Sequence, residues 1–250
     1  TPQLGDARKR LSPTEFQPHP SFLAQRPRIV TKAEFATSGF SGAHLCDVRF
    51  RGYRTNAVLL LELRKALEDG EPFVYAYYDG IDKVSHEYGL REHFDAEVAY
   101  ADRMVADILS FLPRDAALVI TADHGQVDVG DNVLALHPEV LAHVSFQSGE
   151  GRFRWLHARP GRVGALAEAV EAHHGDTGWV RTRDETIDEG WWGPRVTDAA
   201  RSRLGDVALV AREDVSYIDE ADTGPYELVG RHGSLTAAEM LVPLLVGVNR

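Results

Sequence analysis

The stretch "HFDAEVAYADRMVADILSFLPRDAALVITADHG", from His93 to Gly125, decides the fold of this chain. In its first half, apolar residues recur every three or four positions, which predicts an amphipathic helix. These residues are Phe94, Val98, Ala101, Val105, Ile108 and Leu112. The run "AALVITAD" that follows is apolar enough for a buried strand. The strand delivers Asp123 and His124, which carry side chains of the kind that bind metal ions, and then Gly125, where the backbone can turn at little cost.

The segments upstream of this stretch repeat the pattern of strands and helices. "PRIVTK" (27–32) and "PFVYAYYD" (72–79) predict strands, and "NAVLLLELRKALEDG" (56–70) predicts a helix that stops before its final glycine. "SGFSGAHLCDVRFRGY" (38–53) is punctuated by glycine and predicts a loop, with Cys46 as a small core residue. Strands that alternate with helices predict an α/β fold with a mostly parallel central sheet flanked by helices.

Downstream of Gly149 the same rhythm recurs on a smaller scale, which predicts a small α/β insertion at 149–199. The metal-binding α/β core then comprises 22–148 and 200–250, including the late strands "DVALVAR" and "MLVPLLVG". Residues 1–21 are polar, hold four prolines and show no period, so they predict an extended arm or linker.

Composition narrows the classes of partner. With 27 basic and 38 acidic residues among 250, the formal net charge is −11, which argues against binding to a nucleic acid polymer or an anionic membrane surface. An anionic small substrate is still allowed, because bound metal ions reverse the local charge. No apolar run approaches the roughly 20 residues of a membrane span, and neither a secretory signal nor a second cysteine is visible. We therefore expect a cytoplasmic location.

Acidic and histidine side chains cluster where predicted strands end, which is where ligands bind in parallel α/β sheets. Asp82 and His86 are four residues apart, so a helical turn would place them on one side. Asp123 and His124 follow the next strand, and His232 lies in a glycine-flanked loop. The plain alternatives are a surface pair before a helix, an aspartate cap and a solvated histidine. Together, imidazoles and carboxylates favour a Zn²⁺ or Mn²⁺ site with open positions for hydrolysis.

Three blocks of sequence carry a resemblance to a known family. "YAYYDGIDKVSHEYG" (75–89), "VITADHGQ" (119–126) and "GRHGS" followed by "VPLLV" (230–246) together resemble the alkaline phosphatase superfamily. Within it, they are most similar to the type I phosphodiesterase/nucleotide pyrophosphatase branch. The resemblance implies two divalent metal ions, Zn²⁺ first and Mn²⁺ as the alternative. It implies that Asp82, His86 and His232 bind one ion and that Asp123 and His124 bind the other. Lys83 lies between two of these proposed ligands, so it is a candidate for contact with the substrate phosphate, with a surface lysine as the alternative.

The first 41 residues depart from the family pattern. The family takes an Asp from its first strand and a Thr or Ser nucleophile from the start of a helix, and neither is recognisable in Thr1–Ser41. The glycine-containing loop that carries Thr37, Ser38 and Ser41 resembles the family's segment after the nucleophile, not the nucleophile itself. We therefore assign no catalytic residue to this chain, expect the nucleophile upstream, and expect the isolated chain to be inactive. The alternative is a degenerate relative without catalysis, which a start codon directly before Thr1 would support.

The sequence thus predicts a phosphoric ester hydrolase that acts on a small-molecule phosphate ester, with a phosphodiester or nucleotide pyrophosphate favoured. The alternatives are a phosphoglycerate mutase-like or sulfatase-like relative and a non-catalytic metal-binding fragment. The oligomeric state is not encoded in any pattern that we recognise.

Three further groups of residues have other interpretations. His173 and His174 end a predicted helix, where a cationic C-terminal cap is favoured over a metal site. Trp191 and Trp192 are interpreted as an aromatic plug between insertion and core, with a cover over a substrate entrance as the alternative. Three histidines show no partner in the sequence: His137, His143 and His157.

Overall fold

The computed structural model describes residues 7–222 and 228–249 of the chain, so residues 1–6 of the predicted arm lie outside the described part. The helices are α1 (Pro13–Phe16), α2 (Gly39–His44), α3 (Asn56–Glu68), α4 (Gly80–Tyr88), α5 (Glu92–Phe111), α6 (Pro138–His143), α7 (Val163–His174), α8 (Arg183–Asp188), α9 (Asp198–Arg201) and α10 (Ala237–Met240). Short 3-10 turns cover Ala7–Lys9, Ser21–Ala24 and Ala33–Thr37.

The strands are β1 (Arg28–Lys32), β2 (Arg49–Tyr53), β3 (Val74–Ala76), β4 (Ala117–Thr121), β5 (Val127–Asp128), β6 (Val133–Ala135), β7 (Val144–Glu150), β8 (Phe153–Ala158), β9 (Gly178–Thr182), β10 (Val207–Ala211), β11 (Ser216–Ile218), β12 (Gly230–Arg231) and β13 (Leu244–Val248). The predicted mixed α/β architecture is confirmed. The chain divides into two compact units, one with the described parts of Thr1–Asp82, Ala96–Ile120 and Leu244–Arg250, the other with Lys83–Asp95 and the described parts of Thr121–Pro243.

The first unit contains the predicted parallel sheet, in the order β2-β1-β3. Its hydrophobic core forms where the apolar faces of α3 and α5 pack against this sheet. The buried residues of this core are Val30, Tyr53, Leu59, Leu63, Met104 and Ile108. Helix α3 ends before Gly70, whose φ of 72° takes the chain out of the helix as predicted. Helix α5 forms as predicted, but its apolar face is buried only toward its C-terminal half, where Met104 and Ile108 lie, whereas Val98 is 40% exposed.

The second unit is built on an antiparallel sheet in the order β7-β8-β10-β9. Strand β10 is buried at all five positions, because strands flank both its edges and apolar clusters cover both its faces. Helix α7 covers one of these faces with Leu166 and Val170. We predicted β10 as a strand of the core, yet its partners β8 and β9 both lie in the predicted insertion. The proposed domain boundaries stay a prediction.

Three predictions about the first unit were wrong in detail. The predicted glycine-rich loop at 38–53 contains α2 and β2, because Ser38 caps a helical turn and the segment from Arg49 pairs with β1. Cys46 is exposed rather than part of the core. Strand β4 pairs with β13 and alternates between half-buried and exposed residues, so it is not buried throughout, and Val119 is 58% exposed.

No helix in the described ranges has both the length and the apolar character that crossing a lipid bilayer requires.

Candidate metal centre

Helix α4 fixes the first pair of predicted ligands. Asp82 and His86 lie one turn apart on this helix, so their side chains leave the same face. The Nδ1 atom of His86 lies 2.7 Å from the carbonyl oxygen of Gly230. A carbonyl can only accept a hydrogen bond, so Nδ1 is the donor, and in the neutral ring Nε2 is then the nitrogen with the lone pair. This is the arrangement by which proteins orient an imidazole toward a metal ion.

A short strand pair brings together two loops that are distant in sequence. Strands β5 and β12 are antiparallel, with Gly230 opposite Asp128 and Arg231 opposite Val127. This register carries the residue after β12, His232, toward the loop that precedes β5. The ring of His232 consequently stacks on the ring of His124, with centroids 3.5 Å apart and planes at 10°.

The imidazoles of three separate segments therefore converge within the second unit. The ring of His232 also lies 5.1 Å from the ring of His86. One nitrogen of His86 and one of His232 lie within 4.8 Å of each other, and Asp82 precedes His86 by one turn of α4. Two imidazoles and a carboxylate are a donor set that suits Zn²⁺. The residues present therefore fit the metal ion that the sequence predicts.

Asp123 and His124 lie next to His232. The Oδ1 atom of Asp123 lies 3.7 Å from Nε2 of His124, so both side chains are directed to one side of the loop. Asp123 is largely exposed, with 72% of its side chain accessible, whereas His124 is 26% exposed. The structure thus brings His86, His124 and His232 together, with Asp123 beside His124 and Asp82 one turn before His86 on α4. Their division between two metal ions stays a prediction.

Gly125 has a different role from the one predicted. It does not adopt the left-handed conformation that makes glycine favourable in turns. Its N–H donates to the carbonyl oxygen of Glu239 at 2.7 Å, and a Cβ atom at this position would lie 1.9 Å from the carbonyl oxygen of Ala238. The glycine is needed because helix α10 packs directly against the backbone of the loop that carries Asp123 and His124.

Glu239 is the residue of this centre that sequence reasoning missed. Its carboxylate is buried and accepts hydrogen bonds from Arg152 at 2.6 and 3.0 Å, from the N–H of Ser234 at 3.0 Å and from the hydroxyl of Thr236 at 2.5 Å. Its backbone holds Gly125 at the same time. One residue therefore anchors both the Asp123–His124 loop and the His232 loop. The spacing Thr236-x-x-Glu239 was a visible signal, since it matches a helix capping box.

Two carboxyl groups near the centre have shifted pKa values. Burial opposes the ionisation of Glu239, but the hydrogen bonds from Arg152, Thr236 and Ser234 outweigh it and lower the pKa of this carboxyl. Burial raises the pKa of Glu150, and the N–H groups of Arg152 and Phe153 offset only part of that effect. Glu150 packs against Gly233, which has a φ of 117° and no room for a Cβ atom.

A cavity of about 440 Å³ opens beside Asp123 and His124, within the second unit. Its far wall is aromatic and consists of Phe153, Trp155, Trp191 and Trp192. The indole N–H of Trp192 donates to the hydroxyl of Thr186 at 2.9 Å, which fixes the orientation of that ring. The aromatic pair that we interpreted as a plug therefore lines a space next to predicted metal ligands.

The remaining predicted residues lie as follows. Lys83 is exposed on α4, and its contact with substrate stays a prediction. The hydroxyl of Ser38 accepts a hydrogen bond from the N–H of Ser41 at 3.0 Å and thereby caps α2. This contact explains Ser38 as a helix cap. The assignment of no catalytic residue to Thr1–Ser41 stays a prediction.

Comparison with protein families gives one match that covers most of the chain. The sequence profile of the family described as type I phosphodiesterase / nucleotide pyrophosphatase matches residues 17–235. No curated protein matches the chain.

Solved structures share the fold at low sequence identity. The murine ectonucleotide pyrophosphatase / phosphodiesterase 5 superposes with a TM-score of 0.65 at 15% identity, over 89% of this chain and 60% of its own. The human protein of the same name gives 0.58 at 16% identity, over 89% and 60%. Phosphonoacetate hydrolase from Sinorhizobium meliloti 1021, in complex with phosphonoformate, gives 0.57 at 19% identity, over 88% and 65%. This chain thus spans about 60% of the length of the first two structures.

Proposed function

Because the chain belongs to the type I phosphodiesterase / nucleotide pyrophosphatase family, we propose that it carries the metal-binding part of a centre that hydrolyses phosphate esters. Phosphodiesters and nucleotide pyrophosphates are the favoured substrates. An inactive variant of the murine relative is described in complex with AMP, which supports a nucleotide-type substrate here.

A single observation carries this proposal, the convergence of His86, His124 and His232. The three residues come from α4, from the loop after β4 and from the loop after β12. A chance cluster of solvated histidines would not be expected to have one ring fixed by a backbone carbonyl, as His86 is by Gly230.

In the proposed centre, Asp82, His86 and His232 hold one divalent ion, and Asp123 and His124 contribute to a second. Zn²⁺ is the first choice for both and Mn²⁺ the alternative. When bound, such ions polarise phosphoryl oxygens and lower the pKa of a coordinated water. The chain itself orients the ligands: Gly230 sets the tautomer of His86, and Glu239 holds the two loops at their spacing.

The aromatic cavity provides a place for the part of the substrate that is not phosphate. It adjoins Asp123 and His124, so a phosphate near these side chains could extend a planar or apolar group toward Trp191 and Trp192. Lys83 is proposed to contact the phosphate from α4.

The fold alone does not select among the reactions of this superfamily, since phosphonoacetate hydrolase shares it. Mutase-like and sulfatase-like activities, and metal binding without catalysis, therefore stay as alternatives. Turnover of p-nitrophenyl phosphodiester, phosphate monoester and sulfate ester by the full-length gene product separates them, with diester turnover expected to dominate.

The metal assignment is tested by replacing single ligands. His232→Ala and His86→Ala should each lose about one equivalent of zinc relative to the unsubstituted chain, because a site with three protein ligands loses a third of them. Nearly all hydrolysis by the full-length product should disappear as well. Elemental analysis after dialysis measures the zinc, and His19→Ala, which removes an exposed imidazole elsewhere, is the control. Unchanged zinc content in both variants would refute the assignment.

A further inference from the structure

A second cluster of metal-binding side chains lies away from the candidate metal centre, between α6 and α7. One ligand atom each of His137, Glu139 and His173 lies within 4.8 Å of the other two. The rings of His137 and His173 stack with centroids 3.6 Å apart and planes at 14°. The Nε2 atom of His173 lies 2.8 Å from Oε2 of Glu139.

From this geometry we infer a zinc site, distinct from the family's metal centre, that joins the start of α6 to the end of α7. Its ligands are His137, Glu139 and His173, and its fourth position is open to solvent. Two imidazoles and one carboxylate match the ligand sets of protein zinc sites that have three protein ligands and leave the fourth position to water. The inference does not depend on the proposed function.

The distances suit a small cation. Ligand atoms about 2.0–2.2 Å from a tetrahedral zinc ion are roughly 3.4 Å from one another. The contact between His173 and Glu139 is shorter than this spacing, and all three ligand atoms fall within 4.8 Å. Glu139 is 71% exposed, so its carboxylate can rotate to reach that spacing without disturbing the core.

The backbone beneath the cluster is held rigidly, which favours a preformed site. Val140 of α6 and Val170 of α7 belong to one buried apolar cluster. The backbone N–H of His137 donates to Nε2 of His174 at 3.1 Å, so the buried His174 anchors the first ligand. The N–H of Glu139 reaches Nδ1 of His137 only at 3.3 Å, a long contact that the imidazole can exchange for a metal bond.

A plain ion pair between His173 and Glu139 does not account for the third residue. The ion pair joins two side chains only, and the contact of His137 with this segment is through its Nδ1, which accepts from the N–H of Glu139 as the cap of α6. A divalent cation uses all three side chains at once. The sequence did not reveal this site, because 36 residues separate His137 from His173 and we interpreted His173 only as a helix cap.

Calorimetric titration of the full chain with Zn²⁺ tests the inference. His173→Gln and Glu139→Gln should each remove one binding equivalent or weaken it by at least about 100-fold, because loss of a direct ligand should cost no less than loss of an outer-shell partner. His19→Gln should leave the titration unchanged. Zinc should also raise the midpoint of thermal unfolding in the unsubstituted chain by an increment that both variants lack.

A variant of the family centre separates the two sites. The double variant His86→Ala/His232→Ala should still bind the equivalent that His173→Gln abolishes. Equal zinc stoichiometry and affinity with and without His173→Gln would overturn the inference. If His173→Gln does not fold, as judged by circular dichroism, the exposed Glu139→Gln variant gives the same test alone.

Discussion

At the scale of single residues, His86 shows how the fold prepares an imidazole for a metal ion. Its Nδ1 contacts the carbonyl of Gly230, so Nε2 is the nitrogen that we propose as the ligand. That carbonyl is held in turn by the pairing of β12 with β5. The five proposed ligands could be named from the sequence because each belongs to a short motif. The carbonyl of Gly230 could not, because 144 residues separate it from His86.

Glu239 is the second residue whose role required the structure. Its partner Arg152 is fully buried and donates two hydrogen bonds to its carboxylate, although the two residues are 87 positions apart in the sequence. Glu239→Gln should lower the free energy of unfolding by about 3–5 kcal/mol, since it leaves the guanidinium of Arg152 buried without its counter-charge. It should also weaken zinc binding, by about 10–100-fold, because both loops lose their common anchor. Urea unfolding and zinc titration measure the two effects.

Two controls make this prediction specific. Glu213→Gln removes a mostly exposed acid that pairs with Arg212, and it should cost no more than about 1 kcal/mol. The double variant Arg152→Met/Glu239→Gln should recover part of the lost stability, because no buried charge is then left alone. A cost below about 1 kcal/mol for Glu239→Gln alone would show that the carboxylate is not the anchor we describe.

The pair of Glu239 and Arg152 also makes the free energy of unfolding depend on pH. The pKa of Glu239 is lower in the folded chain than its ordinary value of about 4.3. The stability that this carboxylate contributes is therefore fully present above the ordinary pKa and is lost as the pH falls through the lower, folded pKa. Urea unfolding between pH 5 and pH 2.5, roughly the range in which glutamate titrates, should thus show a smaller acid dependence in Glu239→Gln than in the unsubstituted chain. Equal slopes would contradict the sign of the shift.

At the scale of elements, the centre depends on very short segments in close contact. Strands β5 and β12 have two residues each, and α10 has four, yet they determine where His124 and His232 meet. Helices α3 and α5 were predictable because their apolar periods are long. Helix α2 and strand β2 were not, because glycines interrupt the pattern and only pairing with β1 makes Arg49–Tyr53 a strand. Elements this short are decided by tertiary contacts, which a local pattern does not contain.

Gly125→Ala tests the contact between α10 and the loop that carries Asp123 and His124. The added methyl group would overlap the carbonyl of Ala238, so we expect a loss of about 1–3 kcal/mol in unfolding free energy together with weaker zinc binding. Gly164→Ala is the matched control, because a Cβ atom at that helical position meets no atom of the described residues within 4 Å. It should leave zinc binding unchanged and stability equal or slightly higher. Identical zinc affinity in Gly125→Ala would mean that the close approach does not matter.

At the scale of the whole molecule, the α/β class and the parallel sheet of the first unit followed from the alternation of strands and helices. The antiparallel sheet of the second unit did not, because β8, β9 and β10 pair across long stretches of chain and their order is set by packing around β10. The aromatic cavity escaped prediction for the same reason, since its wall combines β8 with the segment after α8. Features that lie within one short motif could be predicted from the sequence. The antiparallel sheet and the aromatic cavity could not, because distant segments form them together.

The most direct test of the proposed metal centre is anomalous diffraction at the zinc edge, from crystals of the chain grown with zinc. Besides the separate site inferred at His173, we predict one peak about 2.0–2.2 Å from Nε2 of His86 and from the ligand atoms of Asp82 and His232, and another beside Asp123 and His124. Zinc peaks elsewhere on the chain, with none at His86, His124 or His232, would contradict the account.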